Sequence, residues 1–139
     1  MFRIELMSWG EAREQASRIR FRVFVQEQGV PREIELDDQD AQCVHALAFD
    51  EKGLAIGTGR LLPDAHIGRM AVLEEHRRHG VGTLLLNRLI EAARQRGERQ
   101  VLLSAQVHAA AFYRRHGFEP MGEIYEEAGI PHRAMRKSI

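Results

Sequence analysis

The chain contains 139 residues, 44% of them hydrophobic, and its 20 Lys and Arg side chains balance 20 Asp and Glu side chains, so its formal net charge is zero. This length predicts a single domain over residues 1–139, and the zero net charge argues against binding nucleic acid through bulk electrostatics. The lone Cys43 excludes an internal disulfide, and neither a leader-like start nor an apolar run of ~20 residues is present, so we expect a cytoplasmic protein without a membrane partner.

The first part of the chain predicts a strand, a helix and an acidic loop. Residues 2–6 alternate apolar and polar side chains, which is the period of a half-buried strand. Ser8, followed three residues later by Glu11, forms a capping box and predicts a helix over residues 9–26. Residues 29–42 carry a proline and five acidic side chains, so we expect a loop or a short irregular helix there.

A hairpin, a third strand and a long helix follow. Val44–Phe49 and residues 54–62 are rich in β-forming side chains and are joined by a glycine-containing turn, which predicts a hairpin. Residues 66–73 predict another strand, and the next helix closes at Gly97. The apolar side chains of this helix recur every three or four residues and are expected to face the core: Val81, Leu84, Leu85, Leu89, Ala92 and Ala93.

The last third of the chain predicts three strands and one short helix. Residues 101–105 are almost wholly apolar, which suits a strand covered on both faces. Residues 109–116 predict the helix, and residues 118–125 and 132–135 predict the two final strands. Strands and helices in this order indicate a mixed sheet flanked by helices, which is an α+β or α/β fold.

The segment between the third strand and the long helix combines basic side chains with two glycines. It reads Arg77, Arg78, His79, Gly80, Val81, Gly82 and Thr83. The first N–H groups of a helix lack internal partners and carry partial positive charge, so they attract anions. Glycines at this point allow close approach to the backbone, and the arginines add full charges. We therefore predict a phosphate site at this turn.

Other sites match the sequence less well. A Walker loop needs a lysine that this turn lacks, and a dinucleotide fingerprint needs a third glycine where Leu85 stands. The seven histidines occur in none of the usual metal-binding spacings, so we expect no metal. The remaining alternative is that Gly80 and Gly82 form only a strand-to-helix turn.

The turn fits the pattern R/Q-x-x-G-x-G/A, and a second pattern, N-x-x-A-x-x-x-Y-x-x-x-G-F, fits further along the chain. Ala109, Tyr113, Gly117 and Phe118 match the second pattern, with Gln106 in place of its asparagine. In both patterns the chain resembles the GCN5-related N-acetyltransferase (GNAT) superfamily. Three further segments are similar to a narrower branch, the ElaA/YjcF-like small bacterial acetyltransferases: residues 22–28, 103–108 and 127–132.

The resemblance implies a fold, an activity and a cofactor site. The implied fold is the GNAT-type acyl-CoA N-acyltransferase fold, with a mostly antiparallel sheet of about seven strands that is splayed between residues 66–73 and 100–106. The implied activity is direct transfer of an acetyl group from acetyl-CoA to the amine of a small molecule in a ternary complex. Besides the turn residues 77–83, the implied cofactor-binding residues are Met70, Ala71, Val72, Gln106 and Phe112.

The resemblance also suggests catalytic residues. Tyr113 matches the tyrosine that serves as general acid for the leaving thiolate, and His132 is our first choice of general base because an imidazole can accept a proton at neutral pH. A backbone N–H near Val72 is expected to stabilise the oxyanion. Cys43 as a covalent nucleophile is the rival mechanism. The reserve candidates for the base are Glu27, Glu33, His45 and His108.

The sequence gives conflicting indications about the acceptor. The acidic side chains of residues 29–42, Glu33 among them, would attract a cationic amine, unless they are simply a solvated loop. Arg20, Arg22 and Arg69 would instead hold a carboxylate, as an amino-acid-like acceptor requires. We expect Glu33, Arg22 and Arg69 to contact the substrate.

Two functions of other classes compete with an acetyltransferase. The first is a non-catalytic acyl-CoA-binding module that reports cofactor level to a partner protein, and the second is a nucleotide-binding regulator. Binding of acetyl-CoA without turnover would favour the first, and competition by ATP or NAD would favour the second. The sequence leaves the choice between a monomer and a homodimer open.

Overall fold

The strands form two antiparallel sheets that meet at one point. The computed structural model describes residues 1–139, with strands in the orders β1-β2-β3-β4 and β5-β7-β6. The strands are β1 (Arg3–Met7), β2 (Val44–Phe49), β3 (Ala55–Leu61), β4 (Ile67–Val72), β5 (Gln100–Gln106), β6 (Glu119–Glu127) and β7 (Ile130–Ser138). The helices are α1 (Trp9–Arg20), α2 (Arg32–Glu35), α3 (Val81–Gln95) and α4 (Ala110–Arg115).

The two sheets are joined by a single parallel bridge between His66 and Leu102. Next to it, the Leu102 N–H donates to the carbonyl of Ala65 at 3.1 Å. No further ladder connects β4 to β5, so the two strands diverge from this point and leave a wedge between the sheets. This arrangement confirms the predicted seven-stranded sheet, splayed between residues 66–73 and 100–106.

A bulge in β4 bends the strand beside the wedge. The register between β3 and β4 shifts between Thr58 and Arg60, which leaves Gly59 without a partner on β4. On β4 the same irregularity places Arg69 at a φ of 49°, in the left-handed region that side chains other than glycine rarely adopt. Such a conformation costs about 1–2 kcal/mol, so the surrounding contacts must hold it in place.

Helix α3 packs closely on β3 because Gly57 and Gly59 of β3 have no side chains. A Cβ at Gly59 would lie 2.6 Å from Met70 Sδ and 2.9 Å from Leu89 Cδ1. The predicted apolar face of α3 is wrong at Leu84, which is 41% exposed. Leu86 and Ile90 are buried instead, so the core-facing arc of α3 is rotated away from Leu84.

The first helix begins as predicted, but it changes from an α-helix to a π-helix before its predicted end. Both hydrogen bonds of the capping box form between Ser8 and Glu11. The regular α-helix stops at Arg20, and Phe21–Glu27 continues as a π-helix. Each hydrogen bond of a π-helix spans one residue more than in an α-helix, which changes the side chains that face inward. The apolar spacing of the sequence does not reveal this change.

The second sheet differs from the prediction in its burial and its length. β5 is not covered on both faces, because Ser104 on its outer face is exposed. β6 runs to Glu127, and β7 extends from Ile130 to Ser138, beyond the predicted residues 132–135. The hydrogen bonds between strands join backbone groups and do not depend on the side chains. Strand ends that are rich in charged residues show no apolar alternation, so the sequence pattern does not predict them. None of the helices is both long and apolar enough to cross a bilayer.

Candidate active site

A cavity of about 750 Å³ occupies the wedge between β4 and β5. Its walls include the β4 residues Met70, Ala71 and Val72, together with Gln106 of β5 and His132 of β7. The edge of β4 that faces the wedge has no strand partner beyond the bridge at His66, so its backbone groups are available to a ligand. Gln106 is already engaged, because its side-chain amide donates to Gln28 Oε1 at 2.7 Å.

Residues 78–83 form an arc of unpaired backbone N–H groups at the start of α3. None of these six N–H groups donates to another backbone atom, and no side chain caps the helix. Arg78 and Gly80 both have left-handed φ values, 68° and 82°. Alternating left-handed residues turn successive N–H groups toward one point, which creates an anion-binding concavity. The arc therefore has the chemistry that a pyrophosphate requires.

Arg77 is placed differently from our expectation. Its Nη1 and Nη2 atoms donate to the Glu27 carboxylate at 2.6 and 2.7 Å, and its Nε donates to the carbonyl of Val72 at 2.9 Å. Arg77 therefore ties the π-helix to the end of β4 and contributes no free charge to the anion site. The same hydrogen bonds lower the pKa of Glu27, which makes this carboxylate a poorer base than expected.

Helix α4 packs against the start of α3. The Phe112 ring lies 3.4 Å from the position that a Cβ on Gly82 would take. Beside it, Thr83 Oγ1 and His116 Nε2 form a hydrogen bond of 3.0 Å. These contacts join the helix that carries Tyr113 to the anion site. Nothing in the sequence pattern pointed to His116, because Thr83 and His116 belong to different helical segments.

Tyr113 lines the cavity from α4 and packs edge-on against Phe112 and Phe118. Burial raises the pKa of its hydroxyl to about 12. The hydroxyl therefore remains protonated at every pH at which the protein would be assayed. It is available as a proton donor inside the cavity.

His132 is 6% exposed and lines the cavity with its ring held from three sides. Its Nδ1 lies 2.7 Å from the carbonyl oxygen of Ile130, and a carbonyl only accepts, so Nδ1 carries the proton. Nε2 is then the basic nitrogen, 3.7 Å from a carboxylate oxygen of Glu127. The Tyr125 ring stacks on the imidazole at 6.1 Å and is anchored by a hydrogen bond between its hydroxyl and Ser104.

The other candidate bases and the rival nucleophile are less well placed. His45 is buried away from the cavity, where its Nε2 lies 2.9 Å from the carbonyl of Asp40 and burial lowers its pKa. Glu33 is exposed and does not line the cavity, whereas His108 does. Cys43 is outside the cavity, and burial raises the pKa of its thiol, which disfavours the thiolate that nucleophilic attack needs.

Arginines bind three of the five acidic side chains of the loop, those of Glu35, Asp37 and Asp40, whereas Glu33 and Asp38 are exposed and form no ion pair. Arg20, which we expected near the substrate, is buried and paired with the carboxylates of Glu35 and Asp40. Arg60 of β3 binds Asp40 as well, with Nη1 to Oδ1 at 2.8 Å, and it forms two hydrogen bonds to Asp37. These ion pairs fasten the loop to α1 and the first sheet.

The two arginines expected to contact the substrate lie in different places. Arg22 is exposed, forms an ion pair with Glu75, and borders a separate pocket of about 270 Å³. Arg69 lines the large cavity, where its Nη2 donates to the Glu35 carbonyl and to Asp37. No group of three or more His, Cys, Asp or Glu side chains is arranged to hold a metal ion.

Comparison with known proteins identifies the family. Residues 11–139 match the family described as the acetyltransferase (GNAT) domain. The chain is 36% identical to the uncharacterized N-acetyltransferase YjcF of Bacillus subtilis (strain 168) over 130 residues, covering 91% of this chain and 93% of YjcF. Its structure is similar to that of an acyl-CoA N-acyltransferase from Pseudomonas aeruginosa, with a TM-score of 0.87, 31% identity and 99% of each chain covered.

The crystal structure of Escherichia coli ElaA is similar as well, with a TM-score of 0.86, 29% identity and 99% of each chain covered. The two solved structures share the overall fold over almost the whole length of the chain. The branch suggested by residues 22–28, 103–108 and 127–132 is thereby confirmed. The chain belongs to the GNAT family of acyl-CoA-dependent N-acetyltransferases, on the side of the family that contains YjcF and ElaA.

Proposed function

We propose that the protein transfers an acetyl group from acetyl-CoA directly to the amine of a small molecule while both are bound. The observation that carries this proposal is the shared cavity. Tyr113 lines it from α4 and His132 lines it from β7, and the unpaired edge of β4 borders the same cavity. An acid, a base and free backbone donors around one space are what acyl transfer to an amine requires.

The arc of N–H groups at residues 78–83 is the binding site that we assign to the pyrophosphate. Met70, Ala71 and Val72 offer their free backbone edge to the pantetheine arm, as a short additional strand would use it. Val72 is only partly free, because its carbonyl accepts from Arg77. When bound, acetyl-CoA supplies an activated thioester whose carbonyl carbon is open to attack.

His132 removes the proton that keeps the amine from reacting. Its Nε2 accepts this proton from the acceptor's ammonium group, while Nδ1–H remains bonded to Ile130 and the Glu127 carboxylate stabilises the imidazolium. The nitrogen lone pair then forms the new C–N bond. Backbone N–H groups of β4 stabilise the negative charge that develops on the carbonyl oxygen.

Tyr113 donates its proton to the sulfur as the C–S bond breaks. A pKa of about 12 makes a phenol a weak acid, but the same burial raises the pKa of a thiol beside it, so the two groups stay closer in acidity than they would be in water. Tyr113 regains a proton from solvent or from the product nitrogen. The reaction yields an amide and free coenzyme A.

The test is a calorimetric titration of the protein with acetyl-CoA, dephospho-CoA, ATP and NAD, followed by a thiol-release assay over a panel of amines. We expect micromolar binding of acetyl-CoA, no comparable binding of ATP or NAD, and thiol release with part of the panel. Binding without turnover on any amine would favour the non-catalytic acyl-CoA-binding module. Micromolar binding of ATP or NAD would favour the nucleotide-binding regulator and contradict the proposal.

A further inference from the structure

Arg69 stands apart from the two arginines with which it shares the acidic loop. The side chains of Arg20 and Arg60 are only 2% and 7% exposed, and carboxylates hold both of them. Arg60 and Arg69 both border the large cavity, but the side chain of Arg69 is 26% exposed and no carboxylate binds it through two hydrogen bonds. It is therefore the cation of this cluster that a ligand in the cavity can reach.

Much of the hydrogen-bonding capacity of Arg69 is unused. A guanidinium has five N–H donors. In Arg69 the two on Nη2 are bonded at 3.2 Å, one to the carbonyl of Glu35 and one to Asp37. Its Nε is buried without a partner, 3.7 Å from the nearest carboxylate oxygen of Glu35. The two N–H groups on Nη1 donate to no atom of the protein, so they are the donors that an acceptor in the cavity would use.

The backbone holds this side chain at the cavity at a conformational cost. Arg69 has the left-handed φ of 49° at the bulge of β4, although a glycine would adopt that conformation without strain. The core does not require an arginine here, because the residue is only half-buried. Strained residues held in place by their surroundings are typical of ligand sites.

The charges of the cluster favour an anion over a cation. The carboxylates of Glu35, Asp37 and Asp40 are each bonded to Arg20 or Arg60, so none of them is free to bind an ammonium group. Three arginines and three carboxylates leave the cluster without excess negative charge. Burial and the neighbouring Arg60 lower the pKa of Arg69, which indicates that its positive charge is incompletely compensated.

Arg69 and His132 face one cavity from different strands. β5 and β7 are hydrogen-bonded neighbours, and β4 lies beyond β5 and diverges from it after the bridge at His66, so the two backbones are farther apart than two strand spacings of ~4.8 Å. Both side chains project into this gap, which leaves space for a molecule of amino-acid size. We propose that the acceptor is an amine that also carries a carboxylate, and that Arg69 binds this carboxylate while His132 receives the amine. This inference rests on the proposed function, because it takes the cavity to be the acceptor site.

The experiment measures acceptor binding separately from chemistry. The protein is saturated with coenzyme A, which cannot donate an acetyl group, and is titrated with the twenty L-amino acids and their carboxamides. We expect at least one amino acid to bind about tenfold or more tightly than its carboxamide, since a hydrogen-bonded ion pair is lost in the amide.

Two variants assign the preference to Arg69. Arg69→Gly suits the left-handed backbone and removes the guanidinium, so the preference for the carboxylate should disappear while the Kd for coenzyme A stays the same. Arg69→Lys keeps the charge without the planar fork and should retain only part of the preference. Arg13→Lys, at an exposed position of α1, is the matched control and should behave like the wild type.

Three results separate the outcomes. Equal binding of amino acids and carboxamides, or binding of neither class, would overturn the carboxylate proposal. A preference that survives in Arg69→Gly would overturn the assignment to Arg69. Selection of carboxylates by the loaded protein without any thiol release from acetyl-CoA would support a carboxylate-binding site at Arg69 and contradict the proposed transfer reaction.

Discussion

The two ends of the cleft are built from different kinds of donor. At the start of α3 the donors are backbone N–H groups, and the local requirement is a backbone that turns through Arg78 and Gly80. At the acceptor end the donor is the side chain of Arg69, which is held by the loop that contains Glu35 and Asp37. A site made from backbone is encoded by a few consecutive residues, whereas a site made from ion pairs depends on segments that are distant in sequence.

The largest effect on acetyl-CoA binding is expected from a substitution within the arc of backbone N–H groups at the start of α3. Gly82→Glu places a carboxylate in the first turn of α3, where it repels the pyrophosphate and meets the Phe112 ring. We expect acetyl-CoA binding to weaken about 100-fold or more, as calorimetry would show. Gly10→Glu is the control, because Gly10 occupies the second position of α1 as Gly82 does in α3, and its Cβ would have free space. Near-normal binding in Gly82→Glu would show that the arc does not hold the pyrophosphate.

Removing the base tests the other end of the cleft. His132→Gln keeps a polar side chain but cannot accept a proton, so we expect kcat to fall about 100-fold or more while the Kd for acetyl-CoA is retained. Tyr125→Phe, which loses the anchor to Ser104, should lower kcat by a smaller factor because it acts only through the orientation of His132. A larger loss in His108→Gln than in His132→Gln would assign the base to His108, which also lines the cavity.

Substitution of Tyr113, the proposed general acid, should lower kcat by a smaller factor and should test a distinct pH dependence. For Tyr113→Phe we expect kcat to fall about tenfold or more with acetyl-CoA affinity unchanged. Because burial raises the pKa of Tyr113 to about 12, its ionisation should not reduce kcat at any pH up to about 10. A pH–rate profile of the wild type checks this, and an alkaline decline below pH ~10 that disappears in Tyr113→Phe would contradict it.

The ion pair between Asp37 and Arg60 should make the free energy of unfolding depend on pH. Burial alone would raise the pKa of Asp37, but the hydrogen bonds from Arg60 outweigh it and lower the pKa to about 2. The stabilisation is therefore complete above the ordinary pKa of ~3.9 and is lost as the pH falls toward 2. Because solvent screens part of the interaction at this exposed residue, Asp37→Asn should cost about 1–2 kcal/mol at neutral pH, measured by urea unfolding, with a difference from wild type that shrinks as the pH falls to 2. A difference independent of pH would show that the pair contributes nothing through charge.

The charged side chains near the proposed acceptor site are placed differently from our expectation, for a physical reason. The acidic residues of the loop are adjacent in sequence, and adjacent charges usually lie on a solvated surface. Arg20 and Arg60 reach them from α1 and β3, and this pairing exists only after the first sheet has formed. Arg20 is therefore buried in ion pairs and Glu33 lies on the exposed part of the loop, whereas Arg69 lines the cavity.

Tertiary contacts also changed individual side chains within correctly predicted elements. Arg77 belongs to the predicted turn, yet Glu27 of the π-helix holds its guanidinium. Leu84 continues the apolar spacing of α3 but faces solvent, because only one arc of the helix meets the sheet. Spacing along a helix predicts which residues share a face, and only the packing partner determines which face is buried.

The sequence by itself determined the order of strands and helices, the capping box at Ser8 and Glu11, the family, and the glycine-containing turn before α3 to which we assign the pyrophosphate. These features depend on near neighbours or on short motifs, and their physical causes act over a few residues. The tertiary structure decided which cation faces the cavity, which nitrogen of His132 is free, and how the acidic loop is neutralised. Those properties arise from charges and hydrogen bonds between segments that meet only when the two sheets are assembled.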